Sequence, residues 1–197
     1  MTAQEKPFAT RLAELERGTT SAAALSLYDA LPPVAVEQMF GRWRGSELPT
    51  GHPLDGLLSK AGWYGKRFDG PDGAHPLLFS RRGGGVFAID PAWIPMSLLT
   101  RGLGFSHRIV SPNLLRAAAL IAGTTQPKAR LRMTVFRGVV SAAMIYDALP
   151  IIDAFRAVDE DTIAGAMDLR GTRPPSCSSC DASFSAALQP MASSHGE

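Results

Sequence analysis

Between Ala129 and Leu169 the chain sets out four strands in succession, and no other stretch limits its fold as much. In ARLRMTVFR, Leu131, Met133 and Val135 alternate with Arg130, Arg132 and Thr134, the period of a strand with one wet face. Gly138 turns the chain, and Val139 to Tyr146 reads as the antiparallel partner. Pro150 interrupts, Ile151 to Val158 is strand again, Asp159 to Asp161 is a turn, and Thr162 to Leu169 is a further strand. Neighbours joined by such short connections form an antiparallel meander, which leaves helices largely to the first part of the chain.

That first part has the periodicity to supply them. Phe8, Leu12 and Leu15 fall at i, i+4 and i+7, which predicts a short amphipathic helix capped by Gly18. Thr19 to Ser21 offer N-caps for a second helix with Ala24, Leu27, Tyr28 and Leu31 on its apolar face, and Pro32-Pro33 ends it. Val34 to Phe40 has room for one further helical turn, with Pro33 suited to its first position. The chain then reaches GRWRG, residues 41–45. As a strand, this stretch puts Trp43 on one face and Arg42 and Arg44 on the other. Gly41 and Gly45 let the backbone bend or approach a neighbour closely.

From Ser46 to Phe79 the sequence is rich in Gly, Pro and His, with Trp63, Tyr64 and Phe68 between them, and reads as loops that pack through individual aromatics. Gly83 to Asp90 reads as a glycine turn into a short strand. RRGGG lacks both the Gly-Lys-Ser/Thr of a P-loop and the GxGxxG spacing, which argues against a nucleotide cradle. Trp93 to Leu103 is an apolar connector, and Asn113 to Ala122 reads as a short helix after Pro112. LYDALP at 27–32 returns as IYDALP at 145–150, but the flanks do not align and a duplication is not supported.

With 197 residues, 45% of them hydrophobic and 19% charged, the chain can bury a core as one unit. A net charge of +2 from scattered residues supplies no field that calls for nucleic acid or an anionic membrane. The charged N-terminus does not read as a signal peptide and the apolar runs are too short to span a bilayer, so a cytoplasmic protein is expected.

GRWRG, HPLDGLL, WYGKRF, HPLLF and YDALPIIDAFRAVDEDTIAGAMDLRG, in this order, resemble the GXWXG-domain family. Its members join an N-terminal GXWXG segment to a characteristic C-terminal domain of unknown function. GRWRG also resembles the Gly-x-Trp signature with which lipocalins and other calycins open their first strand. That resemblance implies a mainly β (β-rich α+β) protein, an antiparallel calycin-like β-barrel with N-terminal helices. In it, Gly41, Trp43 and Gly45 are structural, with Trp43 closing one barrel end. The expected organisation is an N-terminal helix at 1–19 and one barrel domain at 20–172. This domain divides into a GXWXG segment at 20–80, a connector at 81–128 and the meander at 129–172.

Residues 173–197 depart from the family pattern and read as a disordered or frameshifted tail. Regrouping one allowed set of codons for Pro175 to Phe184 by one base gives Ala-Leu-Leu-Phe-Phe-Val-Arg-Arg-Glu-Leu, an amphipathic strand. The two cysteines, Cys177 and Cys180, lie in this tail with only His195 near, too few ligands for zinc. No metal or other cofactor is expected.

Candidate chemistry is sparse. Asp147 and Asp153 bracket an apolar stretch, with Tyr146 beside the first. A carboxylate drawn inside a barrel would act as a general acid or base. Tyr64 and His52 are further acid–base candidates, while His75 and His107 share no metal spacing. Trp63, Tyr64, Phe68, Met133, Tyr146 and Phe155 are the expected lining of an apolar cavity. The function expected is the holding of a fatty acid, isoprenoid or polyketide-like molecule in that cavity. The alternative is a cofactor-independent isomerase, cyclase or hydrolase using the same cavity. The partners expected are a small apolar ligand and, as one possibility, a second copy of the chain in a homodimer.

Overall fold

The computed structural model describes residues 7–50, 55–81, 83–93, 121–170 and 184–190. Helix α1 (Phe8–Leu15) buries Leu12, and α2 (Ser21–Ala30) buries Ala24, Leu25, Leu27 and Tyr28. The Thr20 hydroxyl accepts the Ala23 N–H at 3.2 Å, the expected N-cap, and Leu31 is already extended ahead of the two prolines. The helical turn expected over Val34 to Phe40 is reduced to a 3₁₀ turn, Glu37–Met39. Before it, Pro33 pairs with Arg156 of the sheet and the Val34 carbonyl accepts the Ala142 N–H, so the backbone here is tied to strands.

The strands are β1 (Gly41–Glu47), β2 (Trp63–Phe68), β3 (Ala74–Ser80), β4 (Val86–Ile89), β5 (Gly123–Thr124), β6 (Ala129–Phe136), β7 (Val139–Tyr146), β8 (Ile151–Ala157), β9 (Ile163–Leu169) and β10 (Phe184–Pro190), with a short helix α3 (Leu57–Ala61) before β2. They form one antiparallel sheet in the order β2-β1-β10-β9-β8-β7-β6-β3-β4-β5, in which β2 also pairs with β3. The meander over β6–β9 is the one expected from the sequence. The aromatic stretch expected as loops instead forms the β2–β3 hairpin. Both strands are buried nearly throughout and β2 slips register at two places, so no polar–apolar alternation marks them. Phe184–Pro190, within the expected tail, pairs with β1 and β9. The helix expected at Asn113 to Ala122 falls almost wholly outside the described residues, as do Cys177 and Cys180.

The expected regular barrel gives way to a mainly β sheet that curls back on itself and is not closed along its length. At the return seam β3 meets β6 in a single register pair, Ala74 with Ala129. One step on, the Leu131 N–H is bonded to the Pro71 carbonyl at 2.7 Å rather than to β3. Inside the curl lie Trp43, Phe68, Leu131, Met144, Tyr146, Phe155 and Ile163, with Val34, Val36 and Met39 packed among them. On the other face of β9, Ala164 and Ala166 meet Leu12, Leu25, Leu27 and Tyr28 of α1 and α2. Strand β9 is therefore buried on both faces. Among the described residues, no helix is long and apolar enough to cross a membrane.

The glycines of GRWRG have separate reasons. Gly41 has φ +118°, in the region that favours glycine, and opens β1. A Cβ on Gly45 would stand closer than 3.0 Å to the indole ring of Trp63, which lies on this glycine. Gly65, opposite in β2, has φ +147°, and its missing Cβ would collide with the backbone of Trp43 and Gly45. Trp43 is buried, its Nε1 donating to the Met39 carbonyl at 2.6 Å, while Arg42 and Arg44 are exposed as expected. Gly45→Ala is therefore expected to cost about 1–3 kcal/mol by overpacking. Gly65→Ala should cost more, because its conflict is with backbone. Urea denaturation checks this order, and Trp63→Leu should restore part of the loss in Gly45→Ala but none in Gly65→Ala.

Candidate functional site

Strand β8 holds a regular register against β9, so Ile151, Asp153 and Phe155 share the inner face while Ala154 and Arg156 point to the other. On β2, Lys66 stands opposite Trp43 of β1. In the strand order β2 and β8 are separated by β1, β10 and β9, yet Lys66 Nζ lies 2.8 Å from Asp153 Oδ2. The ion pair therefore crosses the inside of the curl. Its side chains are only 2% and 7% exposed. The Tyr146 hydroxyl donates to the same Oδ2 at 3.4 Å, and Lys66 Nζ also reaches the Pro76 carbonyl at 3.4 Å. The ammonium sits 5.9 Å from the centre of the Trp63 ring and 6.0 Å from that of Tyr146, within range of cation–π attraction. Phe68 and Phe155 meet edge to face beside the cluster, at 5.9 Å.

Burial drives the chemistry. Desolvation, and then the Asp153 carboxylate beside it, hold the Tyr146 hydroxyl well above its ordinary value of 10.0. The phenol thus keeps its proton at neutral pH and serves as a hydrogen-bond donor. Lys66 and Asp153 compensate each other's charge, and a buried pair of this kind tolerates loss of both partners far better than loss of one.

Of the residues singled out in the sequence, the structure brings Asp153 and Tyr146 into this cluster, with Trp63, Phe68 and Phe155 against it. Tyr64 is half-buried, its hydroxyl enclosed without a hydrogen-bond partner and not joined to the cluster. Asp147 does not belong to it: it lies in the turn after β7, with a 38% exposed side chain, and pairs with Arg130 at 2.5 Å. Met133, 47% exposed, lies towards the hairpin end of the inner face rather than at the cluster. His52 lies outside the described residues.

His75 is elsewhere, on β3. Its Nε2 lies 2.9 Å from Arg67 Nη2 and 3.2 Å from Asp69 Oδ2. Burial and the Arg67 charge lower its pKa, which keeps it neutral at physiological pH. An open concavity of about 500 Å³ beside β4 and β5, lined by Arg81, Phe87, Ala88, Gly123, Thr124 and Thr125, contains none of the candidate residues. Among the described residues, no group of three or more His, Cys, Asp or Glu could hold a metal ion.

Sequence reasoning missed Lys66 and Arg156. Lys66 sits between Gly65 and Arg67, and in WYGKRF it looks like a surface cation. Its one signal is that it stands two residues before Phe68, on the same face of a strand. Arg156 lies on the outer face of β8 with its guanidinium 5.3 Å from the Tyr28 ring centre, and Nη2 donates to the Phe136 carbonyl at 3.0 Å.

These features define a class: a mainly β, antiparallel protein whose curled sheet encloses a lysine–aspartate–tyrosine cluster in an apolar interior. The model for the GXWXG protein matches residues 26–84, and that for the domain of unknown function DUF4334 matches residues 127–178. The chain belongs to the family of proteins that carry these two segments in this order. It is similar to a protein from Thermomonospora curvata with a known crystal structure, at 32% identity and a TM-score of 0.66, over 95% of this chain and all of the other. No curated protein matches the chain.

Two outcomes follow from the cluster. Lys66→Met should cost about 3–5 kcal/mol in chemical denaturation, because it leaves the Asp153 carboxylate buried and unpaired. Tyr146 and Tyr28 are both held above their ordinary value by burial, so unfolding above pH 10.0 releases protons that the folded chain keeps. Their contribution is fully present below that pH and is lost as pH rises beyond it. Thermal melts from pH 9 to 11.5 should show this fall, and Tyr146→Phe should make it shallower.

Proposed function

We propose that this protein binds a small, largely apolar molecule inside its curled sheet, with the polar end of the molecule against Lys66, Asp153 and Tyr146. The observation that carries the reading is the hydrogen-bonded lysine–aspartate–tyrosine cluster among Trp43, Phe68, Met144 and Phe155. Stability alone does not call for it, since apolar side chains of similar volume serve a core as well or better. A few polar groups converging in an apolar setting are what a small-molecule site uses to orient its ligand.

The register of the β6–β7 hairpin supports an approach route. Its inner-face pairs run from Ala129 with Tyr146 and Leu131 with Met144, all buried, to Val135 with Val140, which are 70% and 53% exposed. Six residue steps, from Ala129 to Val135, give this apolar track a length of about 20 Å. In this reading β2, by pairing with both β1 and β3, makes the sheet a calycin-like container, and the protein is a cytoplasmic carrier.

The enzymatic alternative is favoured by one observation, a buried carboxylate held between an ammonium and a phenol hydroxyl, where Asp153 stands as the candidate base for an enolisable or cyclising substrate. Native mass spectrometry of freshly purified protein, followed by identification of the released molecule, tests the main reading. A stoichiometric apolar adduct is expected, and an apo mass would count against it. Conversion of the identified molecule, slowed about a hundredfold or more by Asp153→Asn, would move the assignment to the enzyme.

A further inference from the structure

We infer that the molecule held by this cluster is electrically neutral and ends in a hydroxyl or carbonyl oxygen rather than in a carboxylate. This rests on the binding reading above and narrows it. Lys66 and Asp153 neutralise each other at 2.8 Å, and Tyr146 contributes a neutral phenol, so the cluster carries no net charge. The interior residues around it, Trp43, Phe68, Met144, Ile151 and Phe155, offer no further cation. Arg156 is buried too, but the register of β8 puts it on the opposite face, under Tyr28 of α2. Arg67 is likewise opposite to Lys66 in its strand, held by Asp69 and His75.

A ligand carboxylate would therefore bring a second anion beside Asp153 into a low-dielectric interior where, among the described residues, Lys66 is the one cation to serve both. A neutral oxygen meets no such cost. The ammonium of Lys66 has three N–H donors, of which the Asp153 carboxylate and the Pro76 carbonyl take two, leaving one for a ligand oxygen. The Tyr146 hydroxyl, at a long 3.4 Å from Asp153, supplies a second donor that can turn to the same oxygen. An alcohol would also return a proton donor to the carboxylate, which a ketone would not.

Three probes with the same twelve-carbon chain separate the possibilities: dodecan-1-ol, dodecan-2-one and dodecanoate, each titrated into full-length protein below its aggregation concentration. The wild type should bind the alcohol or the ketone about tenfold or more tighter than dodecanoate, since like charges brought together cost several kcal/mol. Asp153→Asn removes the anion and leaves Lys66, and should reverse the order in favour of dodecanoate, with a melting curve to check folding. Equal or tighter binding of dodecanoate by the wild type overturns the inference while leaving the binding reading intact. An unchanged order in a folded Asp153→Asn overturns the charge argument. Should that variant not fold, the wild-type order alone decides. Binding of none of the three by the wild type overturns the binding reading and the inference with it.

Discussion

A lysine and an aspartate that face each other across the inside of a curled sheet must be present together or not at all. The Lys66–Asp153 pair joins two strands that have three others between them in the sheet order, and it does so in an interior lined by Trp43, Phe68, Phe155, Met39 and Met144. Taking two charges out of water costs several kcal/mol for each, and their attraction repays this only with good geometry and further hydrogen bonds. Here Tyr146 and the Pro76 carbonyl supply those bonds. Leu and Phe would pack at that point without this penalty, and the proposed binding role accounts for the polarity there.

The GXWXG segment makes that interior possible. Lys66 can face inward only if β2 lies flush against β1, and that contact depends on the absence of side chains at Gly65, against the Trp43 and Gly45 backbone, and at Gly45, against the Trp63 ring. Trp63 then forms one wall of the lysine's surroundings, and Trp43, tied to Met39, packs the interior beside it. The segment's glycines and tryptophan thus do structural work one strand away from the chemistry.

What the sequence made legible follows the same physics. Strand β6 has one wet face, so its alternation shows, and the short turns at Gly138 and Asp159–Asp161 fix its neighbours as an antiparallel meander. Asp147 and Asp153 stand out because they bracket an apolar stretch, and Tyr146 because it adjoins Asp147. Asp147 looked equivalent by spacing, but it sits in a turn where Arg130 reaches it in solvent. Strands β2 and β3 were hidden because both are buried nearly throughout and β2 slips register twice, which erases the period of two. Lys66 was hidden because its partner is 87 residues away, a pairing that only the folded sheet creates. The narrow seam between β3 and β6 depends on where the Pro71 carbonyl finds its donor, and no local pattern encodes that.

The most direct test separates the cluster's part in binding from its part in stability. Lys66→Met and Asp153→Leu would be made together, so that neither charge is left alone, and the double variant compared with the wild type for melting temperature and for dodecan-1-ol affinity. The account predicts a folded protein that melts at or above the wild-type temperature and has lost at least about tenfold in affinity, the scale of one charge-assisted hydrogen bond. A double variant that binds dodecan-1-ol as the wild type does would show the cluster to be a core feature alone and would contradict the account.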